Sequence, residues 1–286
     1  MLRSERFTIH PYCNSGEDQS GLEGNTSEKR ETQNTVLKMK ISKISIEVTR
    51  RCNLKCAFCC RGDAQDMNMK EEYIDSILNQ VEEIDHLTFT GGEPSLNVPI
   101  MNYFIEQCLK KNVTVNYFCI HTNGISITDD FISTCLNLHS LCGNKGLVIL
   151  SADKYHTKQI VADTKLLDTL PFFYTQRKTR WVLAEGRGQN LFKERGFISA
   201  GTNPFVWLRS FRDNYLTLNC RGEIINGIDF SYENQSKHYL CHVDDLTAFY
   251  DHISLCEMEG RYDYRTERAI VEGFKKKISK QVKIFA

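Results

Sequence analysis

Four cysteines lie within nine residues of the sequence, in the stretch "CNLKCAFCC" from Cys52 to Cys60. The first three have the spacing C-x3-C-x2-C, and Cys60 follows the third directly. Thiols this dense would fill a core poorly, but they can surround one face of a metal ion or an inorganic cluster. The stretch therefore predicts a metal centre with Cys52, Cys56 and Cys59 as ligands.

The spacing favours an iron–sulfur cluster over zinc. Structural zinc sites usually pair their ligands as C-x2-C with a second pair far along the chain, and no clear second pair occurs here, although His121 or Cys220 could complete a zinc site in space. Three thiolates suit a cubane cluster whose fourth iron lacks a protein ligand and is open to chemistry. Basic residues flank the loop and are expected to help keep the thiolates ionised: Arg50, Arg51, Lys55 and Arg61.

Strand and helix patterns alternate on both sides of this loop. Period-2 and period-3.6 patterns predict strands over 43–49, 85–90, 113–120 and 146–153 and within 179–185, and helices over 69–84, around 100–108, over 128–141 with Thr128 as N-cap, and near 156–170. This order predicts an α/β fold of parallel strands with helices outside, either a barrel-like sheet or an open doubly wound one.

Unusual residues follow the predicted strands at their carboxyl ends. The cysteine loop follows the first strand, "GGEP" (91–94) the second, "HTNG" (121–124) the third and "SADK" (151–154) the fourth. Ligands bind at the carboxyl ends of parallel strands in both candidate architectures. We therefore expect the four loops to form one site.

The two ends of the chain differ from this core. Residues 1–40 are polar and are predicted to be a disordered arm, residues 41–212 to be the core, and residues 213–286 to be an extension with a basic tail. Within the extension, the pattern around Arg221 and Gly222 predicts an antiparallel hairpin.

Composition limits the partners. Thirty-six basic residues balance thirty-six acidic ones, so no global field favours nucleic acid or an anionic membrane. No apolar run is long enough for a membrane span or a secretory signal, and the predicted location is the cytoplasm. In that reducing compartment the scattered cysteines are expected to be buried packing residues: Cys108, Cys119, Cys135 and Cys142.

The segment "CNLKCAFC", with the aromatic Phe58 before its third cysteine, resembles the cluster-binding motif of the radical SAM superfamily. "GGEP", "TNG" and the Ser151/Asp153 pair fall where that superfamily has comparable elements, and the resemblance covers roughly residues 43–190. It implies a partial (β/α)6 TIM-like barrel of parallel strands with helices outside, followed here by a small C-terminal antiparallel hairpin region.

The resemblance also implies the cofactors. Cys52, Cys56 and Cys59 would hold a [4Fe-4S] cluster at three irons, and the amino nitrogen and carboxylate of S-adenosylmethionine (SAM) would chelate the fourth. One electron then cleaves the sulfonium to methionine and a 5′-deoxyadenosyl radical, which abstracts a substrate hydrogen. A single cluster is expected, because Cys220, Cys241 and Cys256 form no close pairs.

Further roles are implied residue by residue. The element Gly91, Gly92, Glu93 and Pro94 resembles the one that holds the methionine amino group. Ser151 and Asp153 are implied ribose contacts, with helix capping as their alternative, and Phe58 is expected near the adenine. "EGRGQN" resembles a segment seen after the fifth strand in some relatives, in which Arg187 could pair with a carboxylate of cofactor or substrate.

The sequence does not decide the chemical class of the substrate. The hairpin resembles the peptide-modifying branch, which makes a peptide the first expectation and a nucleotide or tRNA base the second. An electron donor such as flavodoxin or ferredoxin is implied. No residue is assigned to catalysis, although four near the predicted rim could meet substrate: His121, Lys154, Tyr155 and His156. The alternative functions are an iron–sulfur binding or electron-carrier module without SAM cleavage, and a zinc-stabilised interaction protein.

Overall fold

The computed structural model describes residues 38–152, 156, 163–177, 183, 185–190, 215–225 and 230–246. Nearly all of the predicted arm, most of the strand predicted within 179–185, and the basic tail lie outside the described residues. Asp153, Lys154 and Tyr155 also lie outside them.

The described strands form one sheet of nine strands with the order β6-β5-β4-β2-β1-β7-β8-β9, and β3 pairs with β2 off this path. The strands are β1 (Met39–Thr49), β2 (Val81–Gly91), β3 (Thr114–Val115), β4 (Phe118–Thr122), β5 (Gly146–Ser151), β6 (Phe173–Gln176), β7 (Tyr215–Leu218), β8 (Glu223–Ile225) and β9 (Tyr239–His242).

The row from β6 to β7 is parallel throughout, and β7, β8 and β9 pair antiparallel. The predicted α/β class is therefore confirmed, and so is the hairpin, whose turn contains Gly222 at a φ of 74°. Its first strand, β7, lies directly beside β1, so the hairpin continues the central sheet. The domain division after residue 212 stays a prediction.

Helices connect the parallel strands. Among the described residues, the named α-helices are α1 (Glu71–Gln80), α2 (Val98–Lys111), α3 (Asp129–Leu141) and α4 (Thr164–Leu167), and 3-10 helices span Pro94–Asn97 and Gln235–His238. Within the described part of the chain, no helix is long and apolar enough to cross a bilayer.

Strand order places the helices on one face of the sheet. From β1 to β6 the longer strands follow one another in a single direction, and right-handed crossovers then put every connecting helix on the same side. The helices contact each other as this requires: Tyr103 and Lys111 of α2 bind Asp75 of α1 at 2.7 and 2.6 Å, and Thr134 of α3 donates to Asn102 of α2 at 2.8 Å. A doubly wound sheet would reverse direction within this run, so the contacts favour the barrel-like alternative.

Two element boundaries differ from the prediction for one reason. Helix α1 ends at Gln80, not residue 84, because β1 begins at Met39 and its first residues give Val81–Ile84 a strand partner. The apolar residues Val81 and Ile84 are buried in either arrangement, so periodicity alone could not choose between helix and strand.

The later strands also differ in detail. The strand predicted over 113–120 divides into β3 and β4, with Asn116 and Tyr117 bonded to β2 through backbone groups of Ile84 and Leu87. Strand β6 was not predicted; it is a four-residue strand whose partner is β5. Of the helix predicted near 156–170, the described residues contain α4.

Aromatic and aliphatic side chains fill the space between sheet and helices. The rings of Phe89 on β2 and Phe104 on α2 meet edge to face at 5.3 Å, and both side chains are fully buried. The prediction for the scattered cysteines is confirmed, since Cys108, Cys119, Cys135 and Cys142 are all buried and free. Burial raises the pKa of the Cys119 thiol to about 11, which keeps it protonated and unreactive at neutral pH.

The predicted cap of α3 gives a direct test of local stability. The Thr128 hydroxyl accepts a hydrogen bond from the Phe131 N–H at 3.2 Å, and Thr128→Ala removes that acceptor from the first turn. We expect the free energy of unfolding in urea to fall by about 1 kcal/mol. Thr128→Ser keeps the oxygen, so its free energy of unfolding should fall by much less. Equal losses of stability in the two variants would show that the cap bond contributes nothing.

Candidate functional site

The loops after β1 and β2 are held together through their backbones. Gly92 N–H donates to Thr49 C=O at 2.8 Å, and Glu93 N–H donates to Arg51 C=O at 2.9 Å. A Cβ atom would lie 2.1 Å from the Thr49 oxygen if placed on Gly91, and 2.2 Å from the Arg51 oxygen if placed on Gly92. Only glycine fits at both positions, so the two glycines set how closely "GGEP" approaches the cysteine loop.

Glu93 joins the second loop to the third. Its side chain is 1% exposed; Oε1 accepts from Ser95 N–H, Ser95 Oγ and Thr122 Oγ1, and Oε2 accepts from Asn123 N–H at 2.7 Å. Burial raises the pKa of Glu93, and these hydrogen bonds oppose the rise. Three of these hydrogen bonds therefore go to Oε1 and one goes to Oε2.

Asn123 extends the link from Glu93 to the cysteine loop. Its side-chain amide donates to Asn53 Oδ1 at 2.8 Å and lies 4.0 Å from Cys52 Sγ, while its own Oδ1 accepts from Ile125 N–H at 3.0 Å. Gly124 has a φ of 79°, so the chain turns directly after Asn123.

The four cysteines of the loop are half-buried. Cys59 N–H donates to Cys56 C=O at 3.1 Å, which forms a turn between the second and third predicted ligands. Burial is the main cause that raises the pKa of Cys52, and the nearby charge of Arg187 lowers it. Metal binding at Cys52 would therefore have to release a proton.

The donor set has the chemistry that an iron–sulfur cluster requires. A cubane bonds each thiolate to a different iron, so its ligands need not converge on one point. Cys52, Cys56 and Cys59 place three half-buried thiols on one anchored loop.

The described residues after Leu183 also bind the cysteine loop, through its backbone carbonyl groups. Arg187 N–H donates to Cys59 C=O at 3.0 Å, and Arg187 Nε donates to Cys56 C=O at 3.0 Å. Gly186 has a φ of 51°, and a Cβ there would lie 2.6 Å from the Cys60 oxygen. The Arg187 guanidinium also binds the exposed Asp63 at 2.7 Å, so its observed carboxylate partner belongs to the loop.

Three further predicted site residues lie in the cysteine loop or at strand ends. Ser151 ends β5 beside Gln176 of β6, and Pro94 is buried at the first position of its 3-10 helix. Phe58 is half-buried, with its ring 5.2 Å from the ring of His156. Their contacts with a cofactor stay predictions, as does the role of Asp153, which lies outside the described residues.

A buried polar network that sequence patterns did not indicate supports the base of the loop. Arg50 and Glu47 form an ion pair at 2.6 Å, with side chains 2% and 1% exposed. Gln235 bonds both charges, donating to Glu47 Oε2 at 2.7 Å and accepting from Arg50 Nη2. Cys220 N–H adds a donor to Glu47 at 3.2 Å. The only hint in the sequence was a carboxylate three residues before an arginine at a strand end.

The structure shows what two of the flanking arginines bind. Arg50 is turned into the interior, with its guanidinium 4.7 Å from the Tyr232 ring centre, and Arg61 is buried with its guanidinium bonded to Phe230 C=O at 3.1 Å. That the flanking charges help keep the thiolates ionised stays a prediction.

With this geometry described, the chain can be compared with known proteins. Residues 46–142 match the family model described as Radical SAM superfamily, which confirms the resemblance over that segment. The match begins within β1 and ends directly after α3, so it includes the cysteine loop, "GGEP" and "TNG".

Individual relatives match stretches of similar length. GTP 3′,8-cyclase of Clostridium perfringens (strain SM101 / Type A) is 33% identical over 97 residues, covering 32% of this chain and 29% of that protein. An uncharacterized protein of Methanocaldococcus jannaschii is 34% identical over 89 residues, covering 29% of this chain and 31% of that protein. The chain thus matches less than a third of the length of these relatives.

Among solved structures, native anSMEcpe with bound AdoMet and Cp18Cys peptide is 14% identical, with a TM-score of 0.39 over 73% of this chain and 79% of that chain. That TM-score is too low to place the fold of this protein, which rests on its own strand pairing.

The buried ion pair gives a prediction for stability. Arg50→Leu leaves Glu47 charged and buried without its partner, and we expect the free energy of unfolding to fall by about 3–5 kcal/mol. The neighbouring Arg51 is the matched control, because it is 49% exposed and lies 3.6 Å from a 98% exposed Asp66. Arg51→Leu should lower the free energy of unfolding by about 0–1 kcal/mol. Similar losses in the two variants, measured by chemical denaturation, would contradict a special role for the buried pair.

Proposed function

We propose that this protein is a radical SAM enzyme that cleaves S-adenosylmethionine reductively at one [4Fe-4S] cluster and abstracts hydrogen from a substrate. The observation that carries the proposal is the interlock of the three loops: "GGEP" bonds the start of the cysteine loop, and Glu93 and Asn123 connect both to the loop after β4. When bound, the two cofactors supply the electron transfer and the 5′-deoxyadenosyl radical.

The residues of this chain would hold and orient those groups. Cys52, Cys56 and Cys59 would ligate three irons, leaving the fourth for the amino and carboxylate groups of SAM. Glu93 would present its carboxylate to an ammonium group, beside the hydrogen bond that Oε2 accepts from Asn123 N–H. Ser151 and Asp153 would bind the ribose, and Phe58 would lie near the adenine.

For the substrate, we propose a peptide first and a nucleotide second. The feature that supports a peptide is the hairpin β7–β8, which adjoins β1 and resembles the extension of the peptide-modifying branch. The similarity to GTP 3′,8-cyclase supports a nucleotide. A flavodoxin- or ferredoxin-type protein is the proposed electron donor.

The first test is formation of 5′-deoxyadenosine. Protein reconstituted with iron and sulfide without oxygen, then given dithionite and SAM, should yield 5′-deoxyadenosine and methionine by mass spectrometry. Cys56→Ala should abolish the product, because one iron loses its ligand. Cys60→Ala, which removes the adjacent thiol outside the motif, is the matched control and should retain the product.

Two other outcomes would support the alternatives. A reducible iron–sulfur protein that forms no product with peptide or nucleotide candidates would support the electron-carrier alternative, and a colourless protein holding zinc would support the zinc-stabilised interaction protein.

Glu93 separates the enzyme from the electron-carrier alternative. Glu93→Gln replaces one carboxylate oxygen by a donor group, and we expect SAM affinity in equilibrium dialysis to fall at least tenfold while iron content stays unchanged. Asp75→Asn is the control: Asp75 also accepts hydrogen bonds from two side chains, but it does so between α1 and α2. Unchanged SAM affinity in Glu93→Gln, with the thermal midpoint preserved, would exclude Glu93 from cofactor binding.

A further inference from the structure

His156 contacts the sulfur of one proposed cluster ligand. Its Nε2 atom lies 3.6 Å from Cys56 Sγ, within hydrogen-bonding distance for sulfur. The side chain of His156 is 7% exposed. A contact shielded from water is electrostatically stronger than the same contact in solvent.

A second contact fixes the orientation of the imidazole. The Phe58 and His156 rings meet edge to face, with an interplanar angle of 84°. Phe58 lies between Cys56 and Cys59 in the loop, so the same ring that orients His156 is part of the segment that carries two ligands. The imidazole therefore packs against the segment whose sulfur its Nε2 contacts.

The other histidine–cysteine contact of this kind at the rim has a different partner. His121 Nε2 lies 3.7 Å from Cys119 Sγ, but Cys119 is a buried residue of β4 outside the ligand motif. The two pairs have nearly the same distance and the same chemistry, and they differ in whether the sulfur belongs to a proposed ligand.

We propose that His156 is a positioning residue that donates a hydrogen bond from Nε2 to the Cys56 thiolate and raises the reduction potential of the cluster. A metal-bound thiolate is deprotonated and can only accept, so the shared proton must be on Nε2. Donation withdraws negative charge from the sulfur, and reduction, which adds negative charge, becomes easier. This inference rests on the proposed function.

The test measures the midpoint potential of the reconstituted cluster, by titration with dithionite and mediators monitored by electron paramagnetic resonance. His156→Phe keeps a ring against Phe58 but has no donor. At a fixed solution potential we expect its ratio of reduced to oxidised cluster to fall about tenfold, equivalent to a shift of about 59 mV to more negative values. His156→Gln restores an N–H donor and should recover part of the shift, which a purely structural role would not explain.

His121→Phe is the matched control and should leave the midpoint potential unchanged, since its sulfur partner is not a ligand. The midpoint is a property of each loaded cluster, so incomplete loading of a variant does not alter the comparison. Midpoints equal to wild type in both His156 variants would overturn the inference while leaving the proposed function intact. A wild-type protein that takes up no reducible cluster would overturn the proposed function itself.

Discussion

A charge pair buried at the carboxyl end of β1 must be solvated by the protein, because water does not reach it. Glu47 and Arg50 are both at most 2% exposed, and isolated burial of either charge would be very costly. Gln235, Cys220 and Gln65 supply the compensating hydrogen bonds. Since Arg50 precedes the cysteine loop by two residues, these partners also fix where the loop begins.

A second buried carboxylate serves the opposite side of the same loop. Glu93 gathers donors from its own turn and from the loop after β4, while the glycines before it allow backbone contact with Thr49 and Arg51. Glu47 therefore supports the base of the cysteine loop, and Glu93 and Asn123 support its edge. The thiols lie between two sets of internally satisfied polar groups, and a site held in this way needs little reorganisation to bind a ligand.

The parts of the fold and site that were predictable are those encoded by short patterns. The cysteine spacing, the glycine pair before Glu93 and the cap at Thr128 each lie within a few residues, and the alternating strands and helices have clear periods. The extension of β2 to Val81 and the four-residue β6 were not predictable, because a strand partner distant in sequence decides both. The same holds for Arg50, which was expected beside the thiols and instead pairs inward with a residue 185 positions away.

Because the cysteine loop is anchored by residues far along the chain, it is synthesised well before its anchors. The cysteine loop leaves the ribosome before Arg187, which bonds Cys56 across 131 positions, and before Gln235. At about 5–20 residues per second, the interval before Gln235 is synthesised is roughly 10–40 s. During that interval β7 has not yet joined β1 and the base of the loop is incomplete. The thiols of the nascent chain are thus in place before the anchors from the later part of the chain can form around them.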